Sequence, residues 1–111
     1  MNRFTVNNKQ YTAKPFDVNM VCDLEDYGVS LEEMKKKAMS MIRAYFAICA
    51  DLDKDSAGIE IQQHLIGGGK FEDITAPMNK EMEESDFFRA LDTQAEKRNS
   101  ENQTEETTAT S

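Results

Sequence analysis

The sequence contains few of the residues from which catalytic and metal sites are usually built. It has one histidine, His64, and two cysteines, Cys22 and Cys49, among 111 residues. Their spacing forms no Ser-His-acid or Cys-His pairing, so we predict a protein that is not an enzyme and has no cofactor. We expect His64 at a helix end or facing solvent. Each cysteine stands among apolar residues, which predicts two buried, reduced thiols and no disulfide.

Long apolar runs and an excess of positive charge are also missing. No apolar stretch is long enough to span a bilayer, and the first ten residues lack the apolar segment of a secretion signal, so we expect a cytoplasmic protein. The formal net charge is -8. This charge repels phosphate backbones and anionic lipids, so the sequence predicts neither a nucleic-acid partner nor a membrane partner. The basic run Lys35–Lys37 follows Glu32 and Glu33, with which it is expected to form ion pairs.

The last part of the chain has almost no apolar side chains. After Leu91 the sequence contains no Val, Ile, Leu, Met, Phe, Tyr or Trp. A segment of this composition cannot bury enough apolar surface to offset the conformational entropy that it would lose on folding. We therefore predict a single helical domain with an N-terminal hairpin over residues 1–95, followed by a disordered acidic and polar tail over residues 96–111.

The first part of the chain alternates between apolar and polar residues. Phe4 and Val6 are separated by one polar residue, and Tyr11 and Ala13 repeat this spacing after an asparagine-rich turn. This pattern predicts a β-hairpin, which Pro15 ends. An isolated hairpin is only marginally stable in water, so we expect it to pack on helices.

The second predicted helix has the strongest pattern. It begins at Ser30, which forms a capping box with Glu33, and apolar residues recur every three or four positions as far as Leu52. Further apolar residues lie beside this stripe: Met39, Ile42, Phe46 and Cys49. A helix with such a broad apolar arc is either central to the fold or partly covered by another chain.

Caps and helix breakers predict the other helices. Asp17 caps the first helix, and Gly67–Gly69 end a third that starts near residue 57. Pro77 is expected to kink or restart the fourth, and Ser85 or Asp86 to cap a last one. The predicted fold class is α+β and mostly α, with an N-terminal β-hairpin packed on four or five short helices.

An acidic cluster between the second and third helices imitates the start of an EF-hand calcium loop. It consists of Asp51, Asp53 and Asp55. A loop that starts at Asp51 has Ser56 where the turn glycine is needed, and one that starts at Asp53 has His64 in place of the final acid. We therefore interpret the cluster as a polar connection and helix cap, with calcium binding as the minor alternative.

The remaining functional signal is apolar surface. The chain has seven methionines, whose flexible, polarisable side chains suit binding grooves but also fill protein cores. Phe87 and Phe88 are adjacent, so on a helix they point about 100° apart and cannot both face one narrow core stripe. We predict that the partner-binding residues are Phe87, Phe88, Met39 and Phe46.

Two segments have a more specific order of features. The first, FTVNNKQYTAKPFDVNMVCDLEDYGVSL, contains a hairpin, Phe-Asp-x-Asn, a helix ending in Leu-Glu-x-x-Gly and a Ser-Leu helix start. The second is GGGKFEDI, followed by Glu84–Phe88. Over roughly residues 3–91, the chain resembles the tail assembly chaperones of long-tailed (siphovirus-type) bacteriophages and related prophages of Gram-positive bacteria.

The resemblance implies a non-catalytic chaperone in the host bacterial cytoplasm. Such a protein coats the tape measure protein, recruits tail tube subunits around it, forms a homo-oligomer and is absent from the mature virion. In that family a longer form is often made by ribosomal frameshifting. Two alternatives stay open, namely a structural phage adaptor protein that remains in the particle and a calcium-responsive binding protein that uses Asp51–Asp55.

Overall fold

The computed structural model describes residues 2–93. Its elements are β1 (Arg3–Val6), β2 (Lys9–Thr12), α1 (Val18–Asp26), a 3-10 turn (Leu31–Glu33), α2 (Ala38–Ala50), α3 (Lys54–Ile66), α4 (Glu72–Glu83) and α5, which covers residues 86–93. The predicted α+β, mostly helical fold with an N-terminal hairpin is confirmed. None of the described helices combines the length and apolar character needed to cross a membrane. The predicted disordered tail, 96–111, lies outside the described residues.

The hairpin packs on α2 through aromatic side chains. Strands β1 and β2 are antiparallel, with Phe4 opposite Tyr11. Asn7 and Asn8 connect them with φ values of 52° and 67°, a left-handed conformation that asparagine tolerates and tight hairpin turns require. The Phe46 ring of α2 lies 6.2 Å from the Phe4 ring and 5.1 Å from the Tyr11 ring between centroids. The hairpin therefore contributes directly to the hydrophobic core.

Helix α2 is the centre of the fold. It contacts the hairpin strand β2 and helices α1, α3 and α4. Tyr45 is fully buried, and its ring stacks on Phe16 with 5.0 Å between centroids. Its hydroxyl donates a hydrogen bond to the Lys14 carbonyl at 2.7 Å, while burial raises the pKa of Tyr45, which keeps the proton on the donor. The broad apolar arc of α2 thus reflects packing on several sides.

The predicted long second helix is divided in two. The capping box forms, because the Ser30 side chain accepts from the Glu33 amide and the Glu33 carboxylate accepts from the Ser30 amide. Only the 3-10 turn follows it, however, and Lys37 interrupts the helical backbone with φ -113° and ψ 63° before α2 begins at Ala38. A continuous helix from Ser30 to Leu52 was therefore the wrong prediction, since helical spacing is also satisfied by two shorter pieces.

Helix α3 begins earlier than its pattern predicts. Its N-cap is Asp53, whose carboxylate accepts a hydrogen bond from the Ser56 amide at 2.6 Å. The helix therefore starts at Lys54, three positions before the predicted start, and ends at Ile66, directly before the glycine triplet. The acidic cluster does supply the helix cap, but a start near residue 57 predicts Asp55 or Ser56 as the capping residue, which is wrong because Asp53 caps the helix and both lie inside it.

The final helices are tied to the start of the chain. Pro77 lies inside a continuous α4, so the helix does not restart there, and its carbonyl accepts from the Asn2 side chain at 2.9 Å. The Ser85 hydroxyl accepts from the Phe88 amide at 3.1 Å and caps α5, as predicted. It also donates to the carbonyl of Phe16. The bond between Asn2 and Pro77 joins residues that are 75 positions apart in sequence, and the bond between Ser85 and Phe16 joins residues that are 69 positions apart.

The two cysteines occupy different environments. Both are free, and Cys22 is exposed whereas Cys49 is half-buried. Burial raises the pKa of the Cys49 thiol. The predicted burial of Cys22 is wrong, because α1 turns its other face to the core: Met20, Val21 and Leu24.

Candidate protein-binding groove

An open apolar groove lies between the two halves of the domain. One wall comes from the 3-10 turn and the start of α2, and the other comes from α4 and α5. We call it the methionine groove, because four of the seven methionines line it. Its volume is about 740 Å³. The apolar lining residues are Leu31, Met34, Ala38, Met41, Ile42, Met78, Met82, Phe88 and Leu91.

Each wall combines buried residues with accessible ones. Met78 and Met82 are one helical turn apart on α4, so they face the groove together. Met41 and Met78 are buried, while Met34 and Met82 are half-buried. Leu31 is 44% exposed at the groove edge, where the capping box fixes the backbone before it. The groove thus has a packed base and accessible apolar edges.

The predicted residue Phe88 lies at this groove. Its ring is half-buried, lines the groove and also packs on Phe16 with 5.3 Å between centroids. Phe87 is half-buried beside it, with the two ring centroids 5.8 Å apart, but it is not a lining residue. Phe88 therefore belongs both to the core and to the candidate site.

The other two predicted residues are elsewhere. Met39 is 57% exposed and lines a smaller concave surface of about 400 Å³ between α2 and α3, together with Arg43. The Nε atom of Arg43 is buried there without a hydrogen-bond partner among the described residues. Phe46 is 0% exposed in the aromatic contact between α2 and the hairpin. The prediction of Phe46 as a partner-binding residue is therefore corrected, since no partner can reach it in the folded domain.

Helical spacing includes four important groove residues but does not mark them as partner-binding residues: Leu31, Met34, Met78 and Met82. Two signals point to them in retrospect. Met78 and Met82 have i,i+4 spacing on a helix whose other face is polar, and Leu31 follows a capping serine directly. What the sequence does not contain is the interruption at Lys37, which separates the 3-10 turn from α2.

The single histidine contacts two other parts of the fold through its two ring nitrogens. Nδ1 of His64 accepts from the Asn7 amide at 2.9 Å, so the ring proton lies on Nε2, which contacts the Asp73 carboxylate at 2.8 Å. The Lys70 amide and then the His64 side chain lower the pKa of Asp73. His64 lies in the last turn of α3, as a helix-terminal residue, and joins the hairpin turn to the start of α4.

The acidic cluster does not form a cation site in this structure. Asp51 adopts the left-handed conformation, φ 57°, at the end of α2, and Asp53 caps α3. Within residues 2–93, no three histidine, cysteine, aspartate or glutamate side chains are grouped so that they could hold a metal ion.

Taken together, the fold and the groove define a small, mostly helical domain with an open apolar groove. Comparisons with models of known families, with curated proteins and with solved structures found no match for this chain.

Proposed function

We propose that this chain is a non-catalytic protein that binds an apolar helical segment of another protein in the methionine groove. The observation that carries the proposal is the groove itself, which is about 740 Å³ in volume and is lined by four methionines. Methionine side chains adapt to different partners. Grooves between helices typically accept the apolar face of an amphipathic helix.

The particular function that we propose is that of a tail assembly chaperone of a long-tailed bacteriophage. Two observations support it, namely the resemblance of two segments to this family and a groove suited to a helical client. The client would be the tape measure protein, and tail tube subunits would be recruited to the complex. The chaperone, as a homo-oligomer, would act in the host bacterial cytoplasm and be missing from the mature virion.

The negative net charge of the chain suits a protein that exposes an apolar groove to bind a client. A protein that exposes apolar side chains for a client risks aggregation before the client arrives. A net charge of -8 counteracts such association.

Co-expression with the tape measure protein of the same phage tests the proposal. We expect the wild-type chain to keep this client soluble and to co-purify with it. Leu31→Ser should weaken binding about tenfold, because a groove-edge side chain then no longer buries apolar area against the client. Ile59→Ser is the matched control, since Ile59 is 56% exposed but lines neither concave surface. Phe88→Ser is a less selective probe, because it also removes the core contact with Phe16.

Three outcomes would contradict parts of the proposal. If the wild-type chain fails to co-purify, the chaperone function is wrong. Equal binding by wild type and Leu31→Ser, with unchanged circular dichroism, would remove the groove as the binding site. Detection of the chain in purified virions by mass spectrometry would favour the structural adaptor.

A further inference from the structure

We propose that the methionine groove selects amphipathic helices whose apolar stripe is flanked by lysine or arginine side chains. This inference rests on the proposed function and names the chemistry of the helix that the groove accepts. The charged residues that line the groove are Glu32, Lys35, Glu83 and Asp92. Three carboxylates against one amine leave an excess of two negative charges at an otherwise apolar site.

The acidic side chains are placed on both walls. Glu32 belongs to the 3-10 turn, Glu83 ends α4, and Asp92 lies in α5. All three are exposed, and within residues 2–93 none of them forms an ion pair. The guanidinium of Arg89, which does not line the groove, lies 3.7 Å from the Asp86 carboxylate and donates a hydrogen bond to the backbone carbonyl of Glu83 at 3.2 Å. We call Glu32, Glu83 and Asp92 the acidic rim; no ion pair with another of residues 2–93 occupies their carboxylates, which can therefore meet cations on a bound helix.

Two other occupants fit the groove less well. Residues 94–111 of the chain contain no apolar side chain larger than alanine, so they cannot fill the space between the methionines. A second copy that bound groove to groove would place its own acidic rim against the first, and like charges at an interface are repulsive. A helix from a different protein that is apolar on one face and positively charged beside it complements both the apolar base of the groove and its acidic rim.

Exposed ion pairs are individually weak, so the expected selectivity is moderate. Each pair changes affinity by less than about fivefold, and three pairs acting together give roughly tenfold or more at low salt. Salt screens these interactions over about 10 Å at 0.1 M. The apolar contribution from the groove base should change little with salt, which allows the two contributions to be separated.

The test uses the full chain and two synthetic peptides. Each peptide has about 18 residues, five helical turns, and the same leucine and methionine stripe, but one is flanked by lysines and the other by glutamates. Fluorescence anisotropy titrations give the Kd at about 0.02 M and about 0.5 M NaCl. We expect the lysine peptide to bind roughly tenfold tighter at low salt and most of this preference to disappear at high salt.

Variants that replace acidic side chains with neutral amides show which residues cause the preference for the lysine peptide. The triple variant Glu32→Gln, Glu83→Gln and Asp92→Asn should lose most of it while still binding both peptides. The matched control removes three exposed acids from α1, which does not line the groove: Asp23→Asn, Glu25→Gln and Asp26→Asn. This control should retain the preference, because it changes the net charge equally but leaves the rim intact.

Several results would overturn the inference, and they differ from failure of the proposed function. Equal binding of the two peptides, or equal loss of preference in the α1 control, would reject selection by the rim while leaving the groove as a binding site. A dimer in sedimentation experiments that Leu31→Ser dissociates would mean that a second copy fills the groove. Binding of neither peptide would reject the groove, and with it the proposed function.

Discussion

His64 holds three parts of the domain together through one imidazole ring. Its two nitrogens contact the Asn7 amide of the hairpin turn and the Asp73 carboxylate of α4. The ring fits only because position 69 has no side chain, since a Cβ on Gly69 would collide with the ring atoms of His64. The sequence predicts the helix-terminal position of this histidine, but both partners are distant in sequence and could not be predicted.

Gly69→Ala tests this arrangement. We expect a loss of about 1 kcal/mol in the free energy of unfolding, because a displaced ring leaves the part-buried Asn7 amide without its acceptor. Urea denaturation of wild type, Gly69→Ala, His64→Ala and the double variant gives the measurement. In the His64→Ala background, Gly69→Ala should cost less than about 0.5 kcal/mol. An equal cost in both backgrounds would mean that the ring is not the reason for the glycine.

Among the elements, the capped turn before α2 contains features that the sequence predicts and one feature that it does not predict. The capping box of Ser30 and Glu33 is local, and it forms as predicted. The ion pair of Glu33 with Lys37 is also local and has an N–O distance of 2.5 Å. The break at Lys37 leaves the three- and four-residue spacing of the apolar residues unchanged, so periodicity reveals neither the break nor the groove wall beside it.

Glu33 gives this turn a pH dependence. Lys37 first, and then Ser30, lower the pKa of Glu33 from 4.5 to about 2. The folded state therefore binds fewer protons than the unfolded state, and this stabilisation is complete above about pH 4.5 and is lost as the pH falls towards 2. Urea midpoints measured between these values should fall less steeply for Glu33→Gln than for wild type. Glu32→Gln, which removes a neighbouring acid outside the capping box, should keep the wild-type slope, and identical slopes for all three proteins would reject the assignment.

At the scale of the molecule, the first residues and the last described helices close the fold together. Asn2 binds the Pro77 carbonyl and the Glu81 carboxylate, at 2.9 and 3.2 Å, and Ser85 binds the Phe16 carbonyl. The sequence predicts Ser85 as one of two candidate caps, because capping depends on neighbours in sequence. Its second role depends on a residue 69 positions away, which no local pattern contains.

The substitution Ser85→Ala measures how much the hydrogen bonds of Ser85 contribute to the free energy of unfolding. The substitution leaves the Phe16 carbonyl and the Phe88 amide unpaired at a buried position, so we expect a loss of about 1–3 kcal/mol in the free energy of unfolding. Ser40→Ala is the control, because Ser40 is half-buried in α2 and its hydroxyl bonds to no other described residue. The control should change stability by less than about 0.5 kcal/mol. A Ser85→Ala loss no larger than this would show that the bond contributes nothing.

The two walls of the methionine groove come from residues 31–42 and 75–92, which leave the ribosome at different times. A nascent chain that has exposed only the first wall presents apolar side chains without the surface that faces them. Under the proposed function, capture of a client therefore cannot begin during early synthesis and requires translation to pass Asp92. If the proposed function is right, the timing of this protein's production relative to that of its client matters as much as its amount.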